Sequence, residues 1–182
     1  MTHLTGKRVA IIASDYVEEP ELVKPRDHLR DSGAEVKVYS REGKPIQAAQ
    51  GDVEPTRKID VDGSFADLDV DEVDALIVPG GTVNADHLRM DEKAQTIVRK
   101  VAAARKPLAV ICHGPWLLVS AGLVEGRRLT SWPSLADDLR NAGGNWLDVE
   151  VVVDDYLITS RKPDDIPAFV AAIEHALVDA RV

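Results

Sequence analysis

Three short runs of Val, Ile and Leu, "KRVAIIAS" (7–14), "DALIVPGG" (74–81) and "PLAVI" (107–111), alternate with stretches of helical period, and a fourth segment, "AEVKVYS" (34–40), alternates in polarity as a strand does. This alternation constrains the fold more than any other feature. Strands apolar on both faces must be covered on both, and strands separated by helices join in parallel. The chain is therefore predicted to be α/β, a mostly parallel sheet with helices on both faces.

The helical stretches carry their own punctuation. In 19–33, Leu22, Pro25, His28 and Leu29 recur at helical intervals before Gly33 ends the segment. Residues 85–106 read as one long helix with Leu88, Ala94, Ile97, Val98 and Val101 on its apolar face, and 114–122 as a helix closed by Gly122. A short helix is expected around Ser134 to Asn141, a β-rich segment over 149–160 and a final amphipathic helix from about Pro163 to Val178. Residues 41–74 hold short β-like pieces and turn residues without a clear period. No repeat or linker divides the 182 residues, so 1–182 is read as a single domain.

The charge balance narrows the partners. Lys and Arg number 22 against 31 Asp and Glu, a formal charge of −9, which disfavours nucleic acid as a major partner while leaving room for a small anion in a local pocket. No apolar run has the length of a membrane span, and "MTHLTGKRVAIIASDY" lacks the layout of a secretory signal. A single cysteine forms no internal disulfide. Together these predict a cytoplasmic protein without membrane contact.

That cysteine, Cys112, stands where the strand "PLAVI" gives way to "CHGP" and a helix. Ligands of open α/β sheets collect at the carboxyl ends of strands, and a nucleophile there needs a sharp turn to project its side chain. Gly114 relieves crowding after such a bend, and Pro115 suits a first helical turn. Helix-end amides beside the sulfur favour thiolate, so a depressed Cys112 pKa is expected. A buried inert thiol is the ordinary fate of a lone cysteine, but it gives no reason for the adjoining His-Gly-Pro. His113 is a candidate base, the alternative being a histidine that contacts backbone or an interface. Gly80 and Gly81, with the His113 amide, form a candidate oxyanion hole, the alternative being a plain tight turn. Trp116 and Trp132 are candidate pocket walls.

Taken together, "ASDYVEEPELVKP" (13–25), "DALIVPGG" and the block running from "AVICHGPW" to "SRKP" (109–163) resemble the PfpI family, the intracellular-protease and stress-protein branch of the DJ/ThiJ/PfpI superfamily. The resemblance implies a flavodoxin-like three-layer sandwich, Cys112 as nucleophile and Glu18 lying against it with a raised pKa. Read without the family, Glu18 is one of three acids near a helix start. The resemblance also implies a homodimer or larger homo-oligomer and, in the protease branch, a Cys-His-acid triad completed across an interface. Asp86 aligns with that acid, and is one methylene shorter than the family's glutamate.

The function implied is a stress-response, cofactor-free enzyme of the glyoxalase III or deglycase type, using Cys112 and Glu18 on a small carbonyl compound. Two alternatives stand beside it: a cysteine peptidase using Cys112, His113 and Asp86 on peptides, and a peroxide sensor or protective chaperone in which Cys112 is oxidised to sulfinate. Glutamine hydrolysis is rejected because the only late histidine, His175, lies inside a helix. No cofactor or metal is expected. The histidines lack zinc spacing, and Lys58 occupies the first ligand slot of the acidic stretch that mimics a calcium loop.

Overall fold

The computed structural model describes residues 3–179. In chain order the elements are β1 (Arg8–Ile12), β2 (Val17–Glu18), α1 (Glu19–Asp31), β3 (Glu35–Ser40), β4 (Ile46–Gln50), β5 (Glu54–Ile59), β6 (Gly63–Ser64) and β7 (Ala75–Val78). Then follow α2 (Thr82–Met90), α3 (Glu92–Ala103), β8 (Leu108–Ile111), α4 (Pro115–Ala121), β9 (Arg128–Leu129), α5 (Ala136–Asn141), β10 (Asn145–Trp146), β11 (Val151–Asp154), β12 (Leu157–Ser160) and α6 (Ile166–Asp179). The main sheet has the order β11-β12-β8-β7-β1-β3-β6, parallel throughout except for the edge strand β11, which pairs antiparallel with β12.

Strand β1 shows why both faces are covered. Val9 and Ile11 pack into one core with Leu22 and Leu29 of α1 and with Phe169 and Ile173 of α6. Ala10 and Ile12 point the other way, into a second core with Leu88 of α2, Ile97 of α3, Leu117 of α4 and Leu139 of α5. The period-two alternation of a strand thus feeds two layers of helix, the expected α/β sandwich. Phe169 is fully buried, and its truncation to Ala is expected to cost about 3–5 kcal/mol.

The long helix expected over 85–106 is two helices. Asp91 has extended backbone (φ −88°, ψ 115°), and its Oδ1 accepts from the N–H groups of Lys93 at 2.8 Å and Ala94 at 3.1 Å, capping α3. An aspartate that satisfies a new helix N-terminus outcompetes continuation of the old helix. Residues 41–74, without a clear period in the sequence, form the β4–β5 hairpin, whose β4 pairs with β2, followed by β6 at the edge of the main sheet. This side sheet sets its hairpin tip beside the start of α2. The segments begun at Pro133 and Pro163 each open as a 3-10 turn before α5 and α6. No helix among the described residues is long and apolar enough to cross a membrane.

Candidate active site

The bend after β8 is real and strained. Cys112 has φ +63°, a left-handed conformation that costs a residue with a Cβ about 1–2 kcal/mol. Neighbouring segments hold it there: its N–H donates to Ser160 O of β12 at 3.0 Å, and its carbonyl accepts from Trp132 N at 2.9 Å. Gly114 is required at the exit, since a Cβ there would lie 2.7 Å from Val110 Cγ1 and 2.9 Å from Ile111 O.

The carboxyl beside the thiol belongs to Glu21, and Glu18 is elsewhere. Glu18 Oε1 and Oε2 accept from the N–H groups of Gly51 (3.1 Å) and Asp52 (3.0 Å), which commits its carboxylate to the β4–β5 tip. Glu21, fully buried in the first turn of α1, accepts from Gly80 N at 2.8 Å through Oε2, and its carboxyl and the Cys112 side chain act on each other's proton affinity. Oε1 is buried and has no hydrogen-bond partner. Glu18 precedes the helix and points to the hairpin. Glu21 lies three residues on, where helical side chains lean back toward the N-terminus and so toward the ends of β7 and β8. The sequence does carry a signal for it: Glu21, Pro25 and Leu29 share one buried stripe at intervals of four.

Burial raises the Glu21 pKa to about 8, helped by the charges of Glu18 and Asp52 and opposed by the Gly80 N–H and the Cys112 side chain. At neutral pH this carboxyl holds its proton. The depressed thiol expected from the helix end is not found. Cys112 is 5% exposed, and its pKa is raised, first by desolvation and next by the negative charge of Glu21, with the Gly81 backbone N–H acting in the other direction. Helix α4 has only seven residues, so its dipole does not outweigh the loss of water around the sulfur.

His113 does swing round. Its Nδ1 lies 3.3 Å from Cys112 Sγ, and its Nε2 lies 3.3 Å from Thr82 Oγ1. Trp132 stacks on the imidazole (centroids 5.9 Å apart, planes at 24°), and Trp116 meets it edge-on at 5.5 Å. Burial lowers the His113 pKa, while the charge of Asp52 raises it. Asp86 is exposed on α2, and within this chain no hydrogen bond or ion pair joins it to His113. Of the expected oxyanion donors, Gly80 is already bonded to Glu21. Gly81 directs its N–H to the thiol, and among the described residues the His113 N–H has no backbone acceptor. Gly81 has φ +92°, and a Cβ there would strike Tyr16 O. Two donors thus face the sulfur's surroundings where three were expected.

The arrangement can hold a thiol between a proton acceptor, His113, and a protonated carboxyl, with the Gly81 and His113 amides as candidate donors to a developing oxyanion beside the sulfur. Asp52, whose charge reaches His113, Cys112 and Glu21, sits in the part of the sequence that had no clear period. Among the described residues no group of three or more His, Cys, Asp or Glu side chains is placed to hold a metal ion.

Residues 7–176 match the model of the DJ-1/PfpI family. A deglycase of Pyrococcus abyssi (strain GE5 / Orsay) is 42% identical over 162 residues, covering 89% of this chain and 94% of that protein. General stress protein 18 of Bacillus subtilis (strain 168) is 40% identical over 166 residues, covering 90% and 94%. Among solved structures, a two-domain protein of Anabaena variabilis containing dj-1/thij/pfpi-like and ferritin-like domains superposes with a TM-score of 0.88 at 32% identity. That match covers 94% of this chain and 48% of the other, so this chain spans about half of that protein.

Proposed function

Because the chain belongs to the DJ-1/PfpI family, we propose that it is a stress-response enzyme acting on reactive carbonyls, of the cofactor-free glyoxalase or deglycase type, with Cys112 as nucleophile and Glu21 as its proton carrier. Relatives named as a deglycase and a general stress protein support the reading. The observation that carries it is the buried Glu21 carboxyl, bonded to Gly80 N and raised to about 8, beside a strained cysteine. A group that titrates near neutral pH can both give and take a proton within one turnover.

For a 2-oxoaldehyde the steps balance without a cofactor. The Cys112 proton passes to His113 Nδ1 as sulfur bonds to the aldehyde carbon, and the carbonyl electrons move to oxygen, held by the Gly81 and His113 amides. Glu21, its own proton first lost to water, takes the hydrogen from that carbon as a proton that exchanges with solvent and delivers a proton to the neighbouring carbon, whose oxygen takes the proton held by His113. The product is an acyl thioester, which water cleaves to a 2-hydroxy acid and free thiol. An adduct of the aldehyde on an amine or thiol enters the same sequence after releasing that group.

Loss of methylglyoxal and formation of lactate by wild type, and neither by Cys112→Ser, is the expected result. Lactate formation by Cys112→Ser at the wild-type rate sinks the reading. A peptidase is the second reading, favoured by the 3.3 Å contact between Cys112 and His113. It needs a homodimer or larger assembly in which Asp86 of a neighbouring subunit approaches His113. A fluorogenic peptide cleaved by wild type, with Asp86→Asn inactive, would establish it in place of the carbonyl reading.

A further inference from the structure

Resting on the Cys112 chemistry above, we propose that Asp52 and Thr82 are the positioning residues of His113, so that the acid serving this histidine comes from its own chain.

The contact path is continuous. Gly51 and Asp52 form the β4–β5 tip with φ of +59° and +67°, and the buried Glu18 fixes that tip through both N–H groups. Asp52 Oδ1 then accepts from Thr82 N at 2.8 Å, at the first residue of α2. The α2 N-cap residue is Gly81, which has no side chain to cap with, so Asp52 caps this helix from another segment. Thr82 in turn places Oγ1 3.3 Å from His113 Nε2. With the Nε2–H donating to that hydroxyl, Nδ1 is left unprotonated and faces the thiol at 3.3 Å, the tautomer a base requires.

The groups around His113 are otherwise poor in charge. Trp116 and Trp132 cover the ring, Arg89 lies over the Trp116 ring at 5.4 Å from its centroid, and Glu21 acts on the thiol. Asp52 is the charged group whose field raises the affinity of His113 for a proton, against the desolvation that lowers it. Its role is to stabilise the imidazolium formed when the thiol proton moves. Asp86, exposed on α2, is not needed for that.

Helix capping alone would also place Asp52 here, and Asp52→Asn separates the two roles. Asparagine tolerates the left-handed turn and keeps an acceptor for Thr82 N, but carries no charge. The expected result is a His113 titration displaced downward, followed by NMR of the imidazole resonance missing in His113→Gln. About a tenfold fall in kcat/KM for methylglyoxal, mostly in kcat, accompanies it, at unchanged thermal stability. Thr82→Val should lose activity by a similar factor, and Thr82→Ser should restore it. An unmoved His113 titration in Asp52→Asn reduces Asp52 to a cap and overturns the proposal. A displaced titration in a protein that turns over no carbonyl leaves the positioning role standing and removes the reaction assigned to it.

Discussion

Replacing Glu21 by glutamine should make the protein more stable at alkaline pH, an unusual outcome for removing a buried candidate active-site group. In the folded chain Glu21 keeps its proton up to about pH 8, against 4.5 when unperturbed. Below 4.5 both folded and unfolded chains hold that proton. Between 4.5 and about 8 only the folded chain does, so raising the pH favours unfolding. At roughly 1.4 kcal/mol per pH unit the whole window is worth on the order of 5 kcal/mol, most of it lost by neutrality. Glutamine keeps an oxygen to accept from Gly80 N and has no proton to lose in this range. Urea denaturation of both proteins from pH 5 to 9, at one protein concentration, reads the residue, because titrations away from the site cancel in the difference. The variant should gain on wild type steadily with rising pH and be several kcal/mol more stable at pH 8. Parallel curves, or a variant weaker than wild type at pH 8, would refute the buried, proton-holding carboxyl.

Other consequences are equally direct. The rate of Cys112 alkylation against pH should report an apparent pKa above the ~8.5 of a free thiol, because burial raises it, and Glu21→Gln should bring it down by removing a neighbouring negative charge. Gly80→Ala should abolish activity and severely destabilise the fold, since the new methyl would fall 2.5 Å from both Cys112 Cβ and Glu21 Oε2; circular dichroism melts and methylglyoxal turnover would show it. Asp91→Ala should cost about 1–2 kcal/mol through the lost α3 cap, read from chemical denaturation, with catalysis unchanged within twofold.

Much of this was legible in the residues. The alternation of apolar runs with helical stripes gave the two-layered packing of β1, and the Cys-His-Gly-Pro junction gave the elbow with its positive φ. The acid was misplaced by three residues for a physical reason: Glu18 and Glu21 both sit near a helix start, and only the direction of helical side chains separates them. The thiol pKa was misjudged because the helix end is visible in sequence while the burial of Cys112 depends on segments far along the chain, Ser160 and Trp132 among them. Asp52 left no mark, since its role arises from a turn placed against α2 by the side sheet. The break at Asp91 was hidden by an unbroken apolar stripe.

The most direct test of Cys112 and Glu21 acting together is the isotopic content of lactate formed from methylglyoxal in D2O. Transfer through the Glu21 carboxyl predicts deuterium on carbon 2, and no labelled lactate from Glu21→Gln. Lactate carrying only protium at that carbon, or lactate formed at the wild-type rate by Glu21→Gln, would contradict the account.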